Sequence, residues 1–137
     1  MSTSYKDIRN ERQWKATTGL SETDFFSLSV AFKNAYEMMY EKRLVQDVEN
    51  INKKVALSSY ADCLYFVLFQ LKNGLTNDCL GVLFSMDGSY AQRKFIKLLE
   101  VLELTLRQKD VLPKRSFQSL KEFIKFLGEE KKLLVMA

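Results

Sequence analysis

Histidine is absent from this chain of 137 residues, which also holds a single proline, Pro113, five glycines and two cysteines. Without an imidazole there is no His base to activate a Ser or Cys nucleophile. Two cysteines and no histidine cannot complete a finger-type zinc site, which takes four such ligands. So few glycines and prolines leave few breaks, and helix should dominate. The longest apolar run, Cys63 to Phe69, falls well short of the roughly 20 residues of a membrane helix. The chain is polar and charged through Lys15 and lacks the apolar segment of a signal peptide.

What is present describes a globular protein. Hydrophobic residues make up 47% and charged residues 28%, a balance that disordered chains do not have. The length suits one domain with its own core. Lys and Arg number 21 against 17 for Asp and Glu, a net charge of +4. That excess is mild, so the placement of charge matters more than its total. Cys63 and Cys79 both fall inside apolar helical patterns and read as reduced core thiols of a cytoplasmic protein.

The periodicity predicts an all-α bundle of about five to six helices. A first helix covers Tyr5 to Lys15, with Ile8 and Trp14 as its apolar residues, and a break follows at Thr17 to Leu20. Ser21 then caps a second helix, with Asp24 in the capping-box position and Leu20 and Phe25 placed as a staple. This helix should run to about Arg43, with Phe25, Leu28, Phe32, Ala35 and Met39 on one stripe. The stripe reads as core or as a dimer seam. Residues 44–57 fit a helix extension or an arm. A third helix restarts at Ser58 or Ser59 and ends at Gly74; it is apolar nearly all round, as the central helix of a small bundle is. A last helix, capped by Ser116, carries Phe117, Leu120, Ile124 and Leu127 and stops at Gly128. The helical domain therefore spans 1–128, and 129–137 is a tail that closes on the apolar run Leu133 to Ala137.

The segment between these helices is the most informative. Thr76 caps a short helix that ends near Phe84, a four-residue turn holding Gly88 follows, and a long helix runs from Ser89 to about Gln108. A helix-turn-helix spans about 75–108, and the second helix of such a motif enters the DNA major groove. At about 100° per residue, Tyr90, Arg93, Lys94 and Lys97 share one face. Ala91, Phe95, Leu98, Leu99, Leu102 and Leu106 share the other. The acids Glu100 and Glu103 come only after the basic turns. Arg bonds guanine O6 and N7 and Gln bonds adenine N6 and N7, so Arg93 and Gln92 are the candidate base readers, with Gln92 toward the side of the wheel. Lys94, Lys97, Tyr90 and Ser89 are the candidate phosphate contacts, Ser89 as a helix cap with backbone N–H groups around it. Thr76 at the start of the shorter helix completes the candidate DNA-binding set. The same basic face is also what an ordinary solvated helix presents.

These residues resemble a known pattern. Ala16-Thr17-Thr18-Gly19-Leu20-Ser21 followed by a Phe-rich helix is similar to the opening of the N-terminal helix-turn-helix domain of DDE-type insertion-sequence transposases. Leu68 to Lys72, Thr76 to Phe84, the small polar turn, the long basic helix and Leu112 to Arg115 follow in the order of that family. The resemblance covers about Ile8 to Arg115. Two departures stand out. Tyr90 and Phe95-Ile96 occupy a region where the family carries more Ser, Gln and Thr and often Trp or His, so its sequence preference does not transfer. In the family, a catalytic domain follows, whose acidic triad holds two Mg²⁺ for strand cleavage. Leu133 to Met136 looks like the start of that domain's first strand, but no triad follows among these residues.

The resemblance implies sequence-specific binding to the terminal inverted repeats of a transposon, as the non-catalytic first-frame part of a transposase acting in DNA transposition and recombination. Its partners would be double-stranded DNA and, as protein, a second copy of the chain or a catalytic transposase subunit at the bacterial nucleoid. No cofactor, metal or catalytic residue is expected. The carboxylate pairs Glu100/Glu103 and Glu129/Glu130 read as solvated charge. A frameshifted fusion near Glu129 to Lys132 is one route to a catalytic form. Two other readings stay open: a small helix-turn-helix transcriptional regulator, and a protein-interaction module without DNA affinity.

Overall fold

The computed structural model describes residues 3–40, 59–107 and 121–127, and these are mostly helical, with no strand among them. Thr3 donates its N–H to the Leu83 carbonyl at 2.8 Å, and Ser4 caps a 3-10 turn over Tyr5–Asp7. Asp7 accepts from the Ser4 N–H in return, a reciprocal capping box. Helix α1, Glu11–Thr18, starts at Asn10, whose side chain accepts from the Gln13 N–H. The single helix expected over Tyr5 to Lys15 is thus two elements. The Asn10 side chain offers the backbone a local partner and restarts the helix there. The break expected at Thr17 and Thr18 is also shifted. Thr18 is the last residue of α1, and its buried hydroxyl donates to the Trp14 carbonyl and accepts from the Leu20 N–H.

Helix α2, Glu22–Tyr40, begins after Ser21, whose hydroxyl accepts from the Asp24 N–H at 3.1 Å. Phe25, Leu28, Phe32 and Ala35 are buried as their stripe requires, together with Tyr36. Met39, assigned to the same stripe, stays 37% exposed at the end of the helix. The expected continuation to Arg43 and the segment 44–57 lie outside the described residues.

Helix α3, Tyr60–Asn73, has Ser59, one of the two serines expected there, as its cap and Gly74 as its left-handed stop, as anticipated. Residues 62–68 are buried without interruption, and the helix packs against α1, α2 and the long helix that follows. Burying each large apolar side chain in such a helix contributes about 2 kcal/mol. Two polar groups are carried inside with it. The Asp62 carboxylate accepts from the Ser4 hydroxyl at 2.6 Å and the Ser59 hydroxyl at 3.0 Å, which ties the 3-10 turn to α3. The buried Lys72 ammonium donates to the Leu127 carbonyl at 2.8 Å.

That carbonyl belongs to the helix over 121–127, where Phe123 and Leu127 are buried. Ile124 was expected on the inner face and is 41% exposed instead. The inner face is thus one position earlier, on Phe123. Phe117, Leu120 and the tail over 129–137 lie outside the described residues. Cys63 is buried, whereas Cys79 is exposed and so is not the core thiol it was expected to be.

Candidate nucleic-acid interface

Helix α4, Asn77–Phe84, starts at Thr76, whose hydroxyl accepts from the Cys79 N–H at 3.2 Å. It drops Leu80 and Phe84 into the core, where Phe84 meets Phe66 edge to face at 4.9 Å. Helix α5, Gly88–Arg107, follows after three residues. The left-handed residue of the turn is Ser85 (φ 57°), and Gly88 does not take a positive φ. The two glycines act through the side chains they lack. A Cβ on Gly81 would collide with the Met86 carbonyl oxygen, and one on Gly88 with the Asp78 carboxylate. The Met86 N–H donates to the Gly81 carbonyl at 2.9 Å. Backbone therefore lies directly on backbone, and the angle between α4 and α5 is fixed.

The start of α5 differs from expectation. Asp87, not Ser89, holds the cap position: its carbonyl accepts from the Ala91 N–H at 2.8 Å, and its carboxylate accepts from the Ser89 N–H at 3.1 Å. A short carboxylate is among the best caps; it takes the Ser89 N–H and puts negative charge at the helix end that was reserved for a phosphate. Ser89 itself is exposed, two residues after the cap.

The rotation of α5 differs as well. Ala91, Leu98, Val101, Leu102, Thr105 and Leu106 are its buried residues. The centre of its outward face is therefore occupied by Ser89, Gln92, Arg93 and Ile96, with Glu100 next along the stripe. Tyr90, Lys94 and Lys97, expected on that face with Arg93, are half-buried along its flank. Lys97 leans over α2, its ammonium 4.5 Å from the Tyr40 ring centre and 5.5 Å from that of Tyr36. Burial, and then the Glu100 carboxylate, push the Tyr40 phenol upward. Gln92, placed toward the side by the wheel, is fully outward.

Thr76, Ser89, Gln92 and Arg93 are thus all exposed, on two helices in fixed relation, while Tyr90, Lys94 and Lys97 are set back. Two residues of consequence were missed. Asp87 had the cap signal of a short acid one residue before a helix. Ile96, 51% exposed, had the spacing signal, being three and four residues after Arg93 and Gln92. Farther along, Met39, Glu100, Glu103, Leu104 and Arg107 line a shallow cavity of about 290 Å³ between α2 and α5. Arg107 and Glu103 pair across its rim at 2.9 Å. Among the described residues, no helix is long and apolar enough to cross a membrane. No family model, curated protein or solved structure matches this chain.

Proposed function

We propose that this protein binds double-stranded DNA in a sequence-specific manner, with α5 as the helix that enters the major groove. The observation that carries the reading is the outward row Ser89, Gln92, Arg93 and Ile96 on a helix held rigidly to α4 by a close backbone approach. From Gly88 through Leu99 the helix contains Arg93, Lys94 and Lys97 and no acid. A reading helix requires an exposed first half, side chains able to bond base edges, and a fixed attitude toward its neighbour. Arg93 and Gln92 supply the base-edge chemistry, and Lys94 at the flank supplies phosphate attraction. Thr76 stands at the exposed start of α4, where the phosphate backbone passes in such complexes, whereas the start of α5 is taken by the Asp87 carboxylate and leaves Ser89 to the outward row.

The resemblance to transposase N-terminal domains extends this to a biological role: recognition of transposon ends, with strand cleavage done by a catalytic subunit or a fused form. A protein-interaction module is the second reading. It has its own observation, the exposed Phe26, Val30 and Met38 on the outer side of α2.

Fluorescence anisotropy with duplex DNA over a range of salt tests the proposal on the wild type and an Arg93→Ala/Lys94→Ala variant. Each lost phosphate contact should flatten the log–log salt slope by about 0.9. Weaker binding with a flatter slope in the variant is the expected result. Absence of salt-dependent binding by the wild type would give the lead to the interaction module.

A further inference from the structure

Ile96 is an anomaly on α5. It is a large β-branched side chain, 51% exposed, on a helix whose opposite face buries six residues. It shares the outward stripe with Gln92 and Arg93, one turn earlier, and precedes the first acid, Glu100. Four residues of helix advance about 6 Å along the axis, against about 3.4 Å per base step along a strand. A side chain at 96 thus lies over a base pair one or two steps beyond the pair reached from 92 and 93. In the major groove, the apolar feature at that depth is the thymine 5-methyl group. An isoleucine there cannot bond a base edge or a phosphate, but it can exclude water from that methyl group.

We infer that Ile96 is a specificity-determining residue that packs on the methyl group of a thymine next to the bases read by Gln92 and Arg93. This rests on the DNA-binding reading and sharpens it: the recognised site contains a thymine whose methyl group is itself a contact. The charge within α5 favours nucleic acid as the occupant of this face, since Arg93 and Lys94 come just before Ile96 and, past the Asp87 cap, the helix carries no acid until Glu100.

Deoxyuridine, which lacks only that methyl group, provides the test. Duplexes are first selected from a random pool with the wild-type chain. Each thymine of the selected duplex is then replaced singly by deoxyuridine, and affinity is measured for the wild type, Ile96→Val and Ile96→Ala. At one position the wild type should lose about fourfold, the value of one buried methyl-sized group. Ile96→Ala should bind the two duplexes equally, with Ile96→Val between. Melting curves of the variants confirm folding, which substitution at a half-exposed helix position leaves intact. A wild type indifferent to every deoxyuridine, or an Ile96→Ala variant with an undiminished loss, overturns the inference while DNA binding stands. A pool that enriches no duplex overturns both, and leaves Ile96 to a protein partner.

Discussion

The Lys97 ammonium sits 4.5 Å from the centre of the Tyr40 ring, while the same cation reaches Tyr36 at 5.5 Å. A lysine that helical spacing alone would assign to a phosphate is held by α2. The contact joins the C-terminal part of α2 to the middle of the proposed reading helix, and so makes Lys97 a positioning residue.

Replacing Lys97 by alanine should therefore cost stability before it costs charge at the DNA. A cation–π contact of this kind is worth about 1 kcal/mol. Urea unfolding of Lys97→Ala should show a loss of that size, and the salt slope of DNA binding should stay at the wild-type value. Arg93→Ala should behave inversely, with unchanged stability and weakened binding. A flattened slope in Lys97→Ala would mean that the lysine leaves the tyrosines when DNA arrives.

The turn between α4 and α5 should be intolerant at Gly81. The Met86 carbonyl occupies the space of a Cβ there and is backbone, so it cannot swing away. Gly81→Ala should destabilise by about 1–3 kcal/mol, as overpacking does. DNA affinity should fall further than the loss of folded protein explains, because the helices are forced apart. Thermal melting and anisotropy on the same samples separate the two effects.

At the start of α5, Asp87→Ala should cost about 1 kcal/mol through loss of the cap, and Ser89→Ala close to nothing. The comparison by thermal melting distinguishes the two residues directly. Equal effects would return the cap to Ser89.

The two thiols should differ sharply in reactivity. Burial pushes the Cys63 thiol up to about 12, so it is neither ionised nor reachable at neutral pH. Cys79 is exposed on α4. Iodoacetamide should modify Cys79 alone in the native protein and both thiols in denaturant, as intact mass would show. Native modification of Cys63 would indicate opening of the bundle around α3.

Alkaline pH should destabilise the protein. Burial also pushes the Tyr65 phenol up to about 12 from its usual 10.0, and the Cys63 thiol rises from 9.0. The unfolded chain releases both protons first. Above pH 9.0 the native state thus binds more protons than the unfolded state, and stability falls as pH rises toward 12. Melting temperatures taken across that range should decline, and Tyr65→Phe should decline less steeply.

The sequence by itself determined the helical class and most helix starts and stops. Ser21, Ser59, Thr76 and Gly74 act through hydrogen bonds or backbone conformations within a few residues of themselves, so local pattern suffices to find them. It also singled out α3 as the central helix, because a helix apolar on every side has nowhere else to go. Tertiary structure alone decided which way α5 faces. A wheel ranks residues by polarity, but the burial of Val101 and Thr105 and the attraction of Lys97 to two tyrosines on another helix set the actual rotation. That rotation turned Gln92 and Ile96 outward and drew Lys94 and Lys97 to the flank. The exposure of Met39, Cys79 and Ile124 was decided in the same way, by where neighbouring helices do and do not reach. Long-range packing selects among faces that are nearly equivalent in one dimension, and no spacing along the chain records which neighbour a face will meet.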